Sequence, residues 1–136
     1  MKLFSDKRPS RQVLGAAPLA QFVVEESVEG CDRVLRLRGF ADIRCIPTLQ
    51  RLFRQYREEN IRLLIFDLSA TEFINSPVWA AITLYACQNR HGPIVAIVGM
   101  SERIRGSFEM MGLYEELPAF ATTELAREQV TSISND

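Results

Sequence analysis

The side chains that could perform chemistry in this chain are few and widely spaced. The only histidine is His91, and the three cysteines are Cys31, Cys45 and Cys87. A structural zinc site usually takes four cysteine or histidine ligands at short spacings, and this set does not provide them. We therefore expect no metal ion and no cofactor. Widely spaced cysteines are typical of reduced, mostly buried thiols in a cytoplasmic protein.

Two carboxylates, Asp67 and Glu72, flank a turn after a predicted strand and are candidates for an acid and a base. One carboxylate at a strand end and one in a loop are common in proteins without activity. The sequence also lacks GxSxG, P-loop and GxGxxG motifs, and His91 has no nucleophile at a motif spacing. The sequence therefore predicts a protein that is not an enzyme.

Ser76 is the side chain with the clearest chemical interpretation. It precedes Pro77, which is tolerated in the first turn of a helix, so Ser76 is predicted to be the N-cap. A helix N-terminus also tolerates a phosphoryl group, which would add roughly −1.5 to −2 charges. Ser76 is therefore interpreted either as a structural cap or as a phosphorylation switch. Trp79, the only tryptophan, is interpreted either as a core residue or as an interface anchor.

Alternating strand and helix patterns must position these residues. The predicted elements are strands over 21–28 and 33–38, a helix from Pro47, a strand over 61–68, a helix over 76–90, a strand over 94–98, a helix that ends at Gly112 and a helix over 123–131. The strand over 61–68 is almost wholly apolar, which is typical of a strand covered on both faces. Together with the next helix and strand it predicts a right-handed β-α-β crossover.

The length and charge of the chain limit the classes of function. The 136 residues fit one domain, and 16 basic against 17 acidic side chains give a net charge of −1. A nucleic-acid-binding protein usually has a clearly basic face, so we expect no nucleic-acid partner. No apolar run has the length of a membrane span. We expect a flexible N-terminal leader over 1–20, a domain over 21–130 and a C-terminal tail over 131–136.

Two segments, LLIFDLSATEFINSPVWAAI and RGSFEMMGLYEELPAFATTELA, carry a resemblance to a known family. Together with the order of the elements, they resemble the STAS domain of anti-sigma factor antagonists over about residues 21–130. Gly39 and Asp42 match the Gly-x-x-Asp of that family after the second strand. The resemblance implies a mixed β-sheet of four to five strands, with about four α-helices packed mainly on one face.

The resemblance also implies a site at the turn before the second helix. In that family the turn usually reads Asp-Ser-Ser/Ala-Gly, and a partner kinase that is also the anti-sigma factor phosphorylates the first serine. Here Asn75 replaces the aspartate, Ser76 keeps the phosphorylated serine, Pro77 replaces the small residue and Val78 replaces the glycine. The residues expected to bind a partner are Asp42, Asn75, Ser76, Pro77, Val78 and Trp79.

Two hypotheses of function follow from the resemblance. In the first, the chain is an anti-sigma factor antagonist that binds a GHKL-type kinase and is controlled by phosphorylation of Ser76. In the second, it is a phosphorylation-independent assembly subunit of an ABC lipid-transport or stress-sensing complex, and Ser76 is only a cap. Substitution of Ser76 by alanine or by aspartate separates the two hypotheses, because only the first predicts a difference in partner binding.

Overall fold

The structure, a computed structural model, describes residues 11–14, 22–89 and 91–134 of the chain. Seven strands and four α-helices follow one another in these segments. In chain order they are β1 Arg11–Leu14, β2 Phe22–Glu29, β3 Asp32–Ala41, α1 Ile46–Glu58, β4 Leu63–Asp67, β5 Thr71–Ile74, α2 Ser76–Gln88, β6 Ile94–Val98, α3 Glu102–Met110, β7 Ala119–Phe120 and α4 Thr123–Ser134. Short 3-10 turns at Ile43–Cys45 and Leu113–Glu115 complete the element order.

The strands form one mixed sheet. Its order is β1-β2-β3-β4-β6-β7, and β5 pairs with the end of β3 outside this path. The pairs β1–β2 and β2–β3 are antiparallel, whereas β3–β4, β3–β5, β4–β6 and β6–β7 are parallel. The strands predicted over 21–28 and 33–38 are β2 and β3, which form an antiparallel hairpin, and the predicted crossover is present as β4-α2-β6. The strand count exceeds the expected four to five because β1, β5 and β7 have only two to four residues, too few to show an alternating pattern.

Both faces of the sheet are covered, which explains the apolar run of β4. Leu64 and Phe66 belong to a large core that includes buried residues of α1, α2 and α3. Leu63 and Ile65 point to the opposite face and belong to a smaller cluster with residues of α4. The helices are therefore packed mainly on one face, as expected, with α4 alone on the other.

The termini of the domain differ from the sequence-based boundaries. Within the expected leader over 1–20, Arg11–Leu14 form strand β1 and pair with β2. Residues 1–10 and 15–21 lie outside the described residues. At the other end α4 continues to Ser134, beyond the expected start of a tail at 131, and residues 135–136 lie outside the described residues. No helix within the described ranges has both the length and the apolar composition needed to cross a membrane.

Candidate protein-binding site

The turn before α2 is fixed to the end of β3 by strand pairing. Phe40 and Ala41 of β3 lie opposite Phe73 and Ile74 of β5 in the register. The backbone N–H of Asn75 then donates to the carbonyl oxygen of Ala41 over 3.0 Å. The residues that follow these two strands therefore leave the sheet side by side at the same end.

The N-cap of α2 is Asn75 and not Ser76. The Asn75 side-chain oxygen accepts a hydrogen bond of 2.9 Å from the backbone N–H of Ser76, and its backbone is extended, at φ −85° and ψ 152°. The expectation that Ser76 caps the helix is therefore wrong. Asparagine is as good a cap as serine, and a proline is accepted at either of the first two helical positions. The position of Pro77 is therefore compatible with a helix that begins at Ser76 or at Pro77.

Ser76 is the first residue of α2, and its side chain is exposed. Its hydroxyl forms no hydrogen bond with any described residue. The backbone N–H groups around it are already used: Val78 and Trp79 both donate to the carbonyl oxygen of Asn75, over 2.9 and 3.2 Å. Pro77 has no N–H. A phosphoryl group on Ser76 would therefore experience the partial positive charge of the helix end without taking up free backbone donors.

Val78 and Trp79 lie beneath the turn and do not contribute to its surface. Their side chains are 0% and 1% exposed. The Trp79 ring packs against Phe108 of α3 with a centroid distance of 5.3 Å. The structure thus corrects the expectation that these two residues contact a partner, because both are core residues that support the turn from below.

The carboxylate of Asp42 is occupied by Arg44. Arg44 donates from Nε and Nη2 to the two carboxylate oxygens over 2.8 to 3.1 Å, and the Arg44 backbone N–H donates to Asp42 Oδ1 over 3.0 Å. These hydrogen bonds, first those of the Arg44 side chain, lower the pKa of Asp42. The group available to a partner here is consequently the ion pair and not a free carboxylate.

Three exposed apolar residues that the sequence did not single out surround the turn. Phe40 is 42% exposed and Phe73 is 44% exposed, with their ring centroids 6.3 Å apart, and Ile43 is 59% exposed. An aromatic residue in a strand pattern is normally taken as buried, so the sequence contains no clear signal for this pair. We call the following set the turn surface: Phe40, Ile43, Phe73, Asn75, Ser76 and Pro77.

A depression of about 100 Å³ adjoins the turn surface beside Phe73, and Arg103, Ile104 and Ser107 of α3 form its other side. Pockets that enclose small molecules usually measure about 300 to 1,000 Å³. The depression is too small for that purpose. The exposed apolar side chains of the turn surface are typical of surfaces that contact other proteins.

The carboxylates considered for catalysis are not brought together. Asp67 Oδ1 accepts a hydrogen bond of 2.9 Å from the Ser69 backbone N–H. Asp67 and Glu72 line two different depressions, the former facing α4 and the latter facing α3. His91 is exposed. The described residues contain no group of three or more His, Cys, Asp or Glu side chains arranged to hold a metal ion.

The thiols are less buried than the sequence suggested. Cys45 is buried, and burial raises the pKa of its thiol to about 11. Cys31 and Cys87 are both exposed. The expectation of mostly buried thiols therefore holds for Cys45 and is wrong for the other two.

Comparison with known proteins agrees with this architecture. The family profile described as the STAS domain matches residues 22–126. The chain belongs to the STAS domain family. The family predicted from the sequence, and its mixed sheet, are thereby confirmed. No curated protein sequence is significantly similar to this chain.

Several solved structures are similar in fold. An anti-sigma factor antagonist from Mycobacterium paratuberculosis has a TM-score of 0.72 at 20% identity, over 85% of this chain and 98% of that protein. The anti-sigma factor antagonist SpoIIAA in its unphosphorylated form has a TM-score of 0.67 at 19% identity, over 82% and 96%. A variant of RsbS from Moorella thermoacetica has a TM-score of 0.70 at 15% identity, over 83% and 98%. At such identities the likeness shows the fold.

Proposed function

We propose that this STAS domain is a non-catalytic regulatory module that binds a kinase-type anti-sigma factor through the turn surface, and that phosphorylation of Ser76 weakens this binding. The observation that carries the proposal is the Ser76 hydroxyl, exposed and without a hydrogen bond to any described residue, beside an apolar surface. Asn75 provides the cap of the helix, so Ser76 is not needed for that role. Anti-sigma factor antagonists among the similar folds support the choice of partner.

The effect of phosphorylation follows from the charge it adds. A phosphoryl group on Ser76 would bring roughly −1.5 to −2 charges beside Phe40 and Phe73. The nearby backbone N–H groups are occupied, so they are not free to compensate this charge. A partner that covers the turn surface would have to remove water from the phosphoryl group, at a cost of a few kcal/mol. This cost corresponds to binding that is weakened about a hundredfold.

The departures from the usual family turn fit this proposal. A valine in place of glycine would obstruct a partner only if its side chain faced outward, and Val78 is fully buried. Asn75 in place of aspartate leaves no carboxylate at that position to repel a phosphoryl group. Pro77 is exposed and presents a rigid apolar ring on the turn surface. Because the kinase needs ATP, we propose that phosphorylation of Ser76 takes place in the cytoplasm.

The test is a binding measurement with a matched charge control. Tagged chain retrieves its partners from the source cells, and the purified kinase is then titrated against the wild type, Ser76→Ala, Ser76→Asp and Gln129→Glu. Gln129 is exposed on α4, so Gln129→Glu adds one negative charge far from the turn. We expect Ser76→Ala and Gln129→Glu to bind like the wild type, and Ser76→Asp to bind at least about tenfold more weakly. Equal binding by Ser76→Asp rejects the switch.

Phosphorylation itself is tested with the same kinase and labelled ATP. We expect the wild type to take up label and Ser76→Ala to take up none. Label that persists in Ser76→Ala would assign the modification to another residue. This outcome is independent of the affinity measurement.

The second candidate function is a phosphorylation-independent assembly subunit of an ABC lipid-transport or stress-sensing complex. The observation in its favour is the exposure of Phe40, Ile43 and Phe73, since exposed apolar clusters are typical of permanent interfaces. It predicts that the wild type and Ser76→Asp retrieve the same transporter or scaffold proteins, with no kinase among them. Retrieval of a GHKL-type kinase by the wild type alone would exclude it.

A further inference from the structure

A second surface lies in the groove between α1 and α2, on the helical side of the sheet. The groove has a volume of about 280 Å³. The residues that line it are Gln50, Phe53, Arg54 and Arg57 of α1 and Ala81, Leu84, Tyr85 and Gln88 of α2. Leu84 lies eight residues after Ser76, which is about 12 Å along the helix axis. The groove is therefore distinct from the turn surface, and its function does not depend on that of Ser76.

The floor of the groove contains an aromatic pair with an unused donor. Phe53 and Tyr85 are stacked with a centroid distance of 4.2 Å and an interplanar angle of 12°. Tyr85 is only 2% exposed, yet its buried hydroxyl has no hydrogen-bond partner among the described residues. Burial raises the pKa of Tyr85 to about 12, and the charge of Arg57 opposes this shift. Tyr85 and Arg57 both line the groove.

The rim of the groove is basic and partly apolar. Arg54 and Arg57 are exposed, and Arg51 continues the same row on α1. None of these three arginines forms a salt bridge with a described residue, and no acidic residue lines the groove. Leu84, on the α2 side, is 57% exposed. Positive charge and an exposed leucine are thus combined at one place, above a buried aromatic pair.

We propose that this groove is a docking site for an acidic amphipathic helix of a partner protein. Carboxylates of that helix would pair with Arg54 and Arg57, and its apolar side chains would cover Leu84. A helix fits because an amphipathic helix commonly binds with its apolar face in a groove of its partner.

Other occupants agree less well with the charge and size of the groove. Its volume is at the lower limit of small-molecule pockets, about 300 to 1,000 Å³, and four of its eight lining residues are Gln or Arg, whereas such pockets are mostly apolar. The N-terminal segment of this chain carries Lys2, Lys7 and Arg8 and no compensating cluster of acids, so it would be repelled by the rim. A second copy packed symmetrically would place the arginine row against itself.

The test uses the full chain and a fluorescein-labelled 18-residue peptide with leucine on one helical face and glutamate on the other, followed by fluorescence anisotropy. The double variant Arg54→Glu, Arg57→Glu is compared with the double variant Arg38→Glu, Arg103→Glu. Arg38 and Arg103 are exposed and lie outside the groove, so both variants change the net charge equally. We expect about a tenfold loss of affinity for the groove variant and less than about a twofold change for the control.

Leu84→Ser provides a second, independent test, because it removes the exposed apolar side chain of the groove and changes no charge. Leu125→Ser is its matched control, since Leu125 is 44% exposed but lies on α4, outside the groove. We expect Leu84→Ser to lower peptide affinity at least about threefold and Leu125→Ser to leave it unchanged. Undiminished affinity of Leu84→Ser would overturn the proposed geometry.

The remaining outcomes also decide the proposal. Absence of peptide binding, or equal losses in the two double variants, would overturn it. So would a peptide that shifts the backbone NMR signals of Phe73 and Ser76 but not those of Leu84 and Tyr85. Self-association of the wild type in light scattering, abolished by Leu84→Glu, would assign the groove to a second copy of the chain instead.

Discussion

The side-chain oxygen of Asn75 accepts the backbone N–H of Ser76 over 2.9 Å, so the asparagine caps α2 and the serine does not. Because Asn75 provides the cap, the stability of the helix N-terminus does not depend on the Ser76 hydroxyl. The Ser76 hydroxyl is left exposed and without a hydrogen bond to any described residue. A residue with this freedom can be modified, or substituted, with little effect on the fold.

The first prediction concerns the stability of the turn. Asn75→Ala should lower the free energy of unfolding by about 1 kcal/mol, because it removes the cap. Ser76→Ala should change it by less than about 0.5 kcal/mol, as for an exposed side chain. Urea unfolding followed by circular dichroism measures both. If Ser76→Ala were the more destabilising of the two, the cap assignment would be wrong.

The second prediction concerns Val78, which stands where the family usually has glycine. Val78→Ala should lower the free energy of unfolding by about 2 kcal/mol, because it removes buried methyl groups and leaves a cavity. Partner affinity, measured on the folded protein, should stay within about twofold, since the side chain is not on the surface. Tighter binding by Val78→Ala would show instead that the valine obstructs the partner.

The third prediction concerns the apolar part of the turn surface. Phe73→Ser should weaken binding of the retrieved partner by at least about tenfold, since exposed aromatic residues at an interface are frequent hot spots. Leu125→Ser is the matched control, because Leu125 is also 44% exposed but lies on α4, on the other face of the sheet. Isothermal titration calorimetry compares them. Similar losses for both variants would contradict a site restricted to the turn surface.

The fourth prediction concerns the pH dependence of Cys45. Burial raises the pKa of its thiol from 9.0 to about 11. Between these values the unfolded thiol releases its proton and the folded thiol keeps it. The contribution of Cys45 to stability is therefore complete below about pH 9 and is lost as the pH rises toward 11. Unfolding free energies of the wild type should fall more steeply in this window than those of Cys45→Ala.

Thiol labelling gives the corresponding kinetic observation. Ellman's reagent should modify Cys31 and Cys87 rapidly in the folded protein, since both are exposed, and should modify Cys45 only on unfolding. Mass spectrometry of the digested product identifies the labelled residues. Rapid labelling of Cys45 at neutral pH would contradict its burial.

Local patterns along the chain were sufficient for the longer strands and the four helices, but not for β1, β5 and β7. The apolar run of β4 predicted a strand covered on both faces, and the helix predicted from Pro47 is present as α1, with Leu49, Leu52 and Tyr56 buried. Period and apolar content are properties of consecutive residues, so the sequence by itself determined these elements and their order. The family followed from the resemblance of two longer segments, and the family profile confirms it. It also identified the turn that contains Ser76.

Only the tertiary structure decided which side chains of that turn are accessible. Trp79 follows Ser76 by only three residues, yet α3 covers Trp79 and leaves Ser76 exposed. Phe73 is exposed although it lies in a strand, because β5 pairs only with the end of β3. The groove of Leu84 and Tyr85 likewise requires α1 and α2 to be side by side. Accessibility depends on contacts between residues distant in the chain, and no local pattern contains that information.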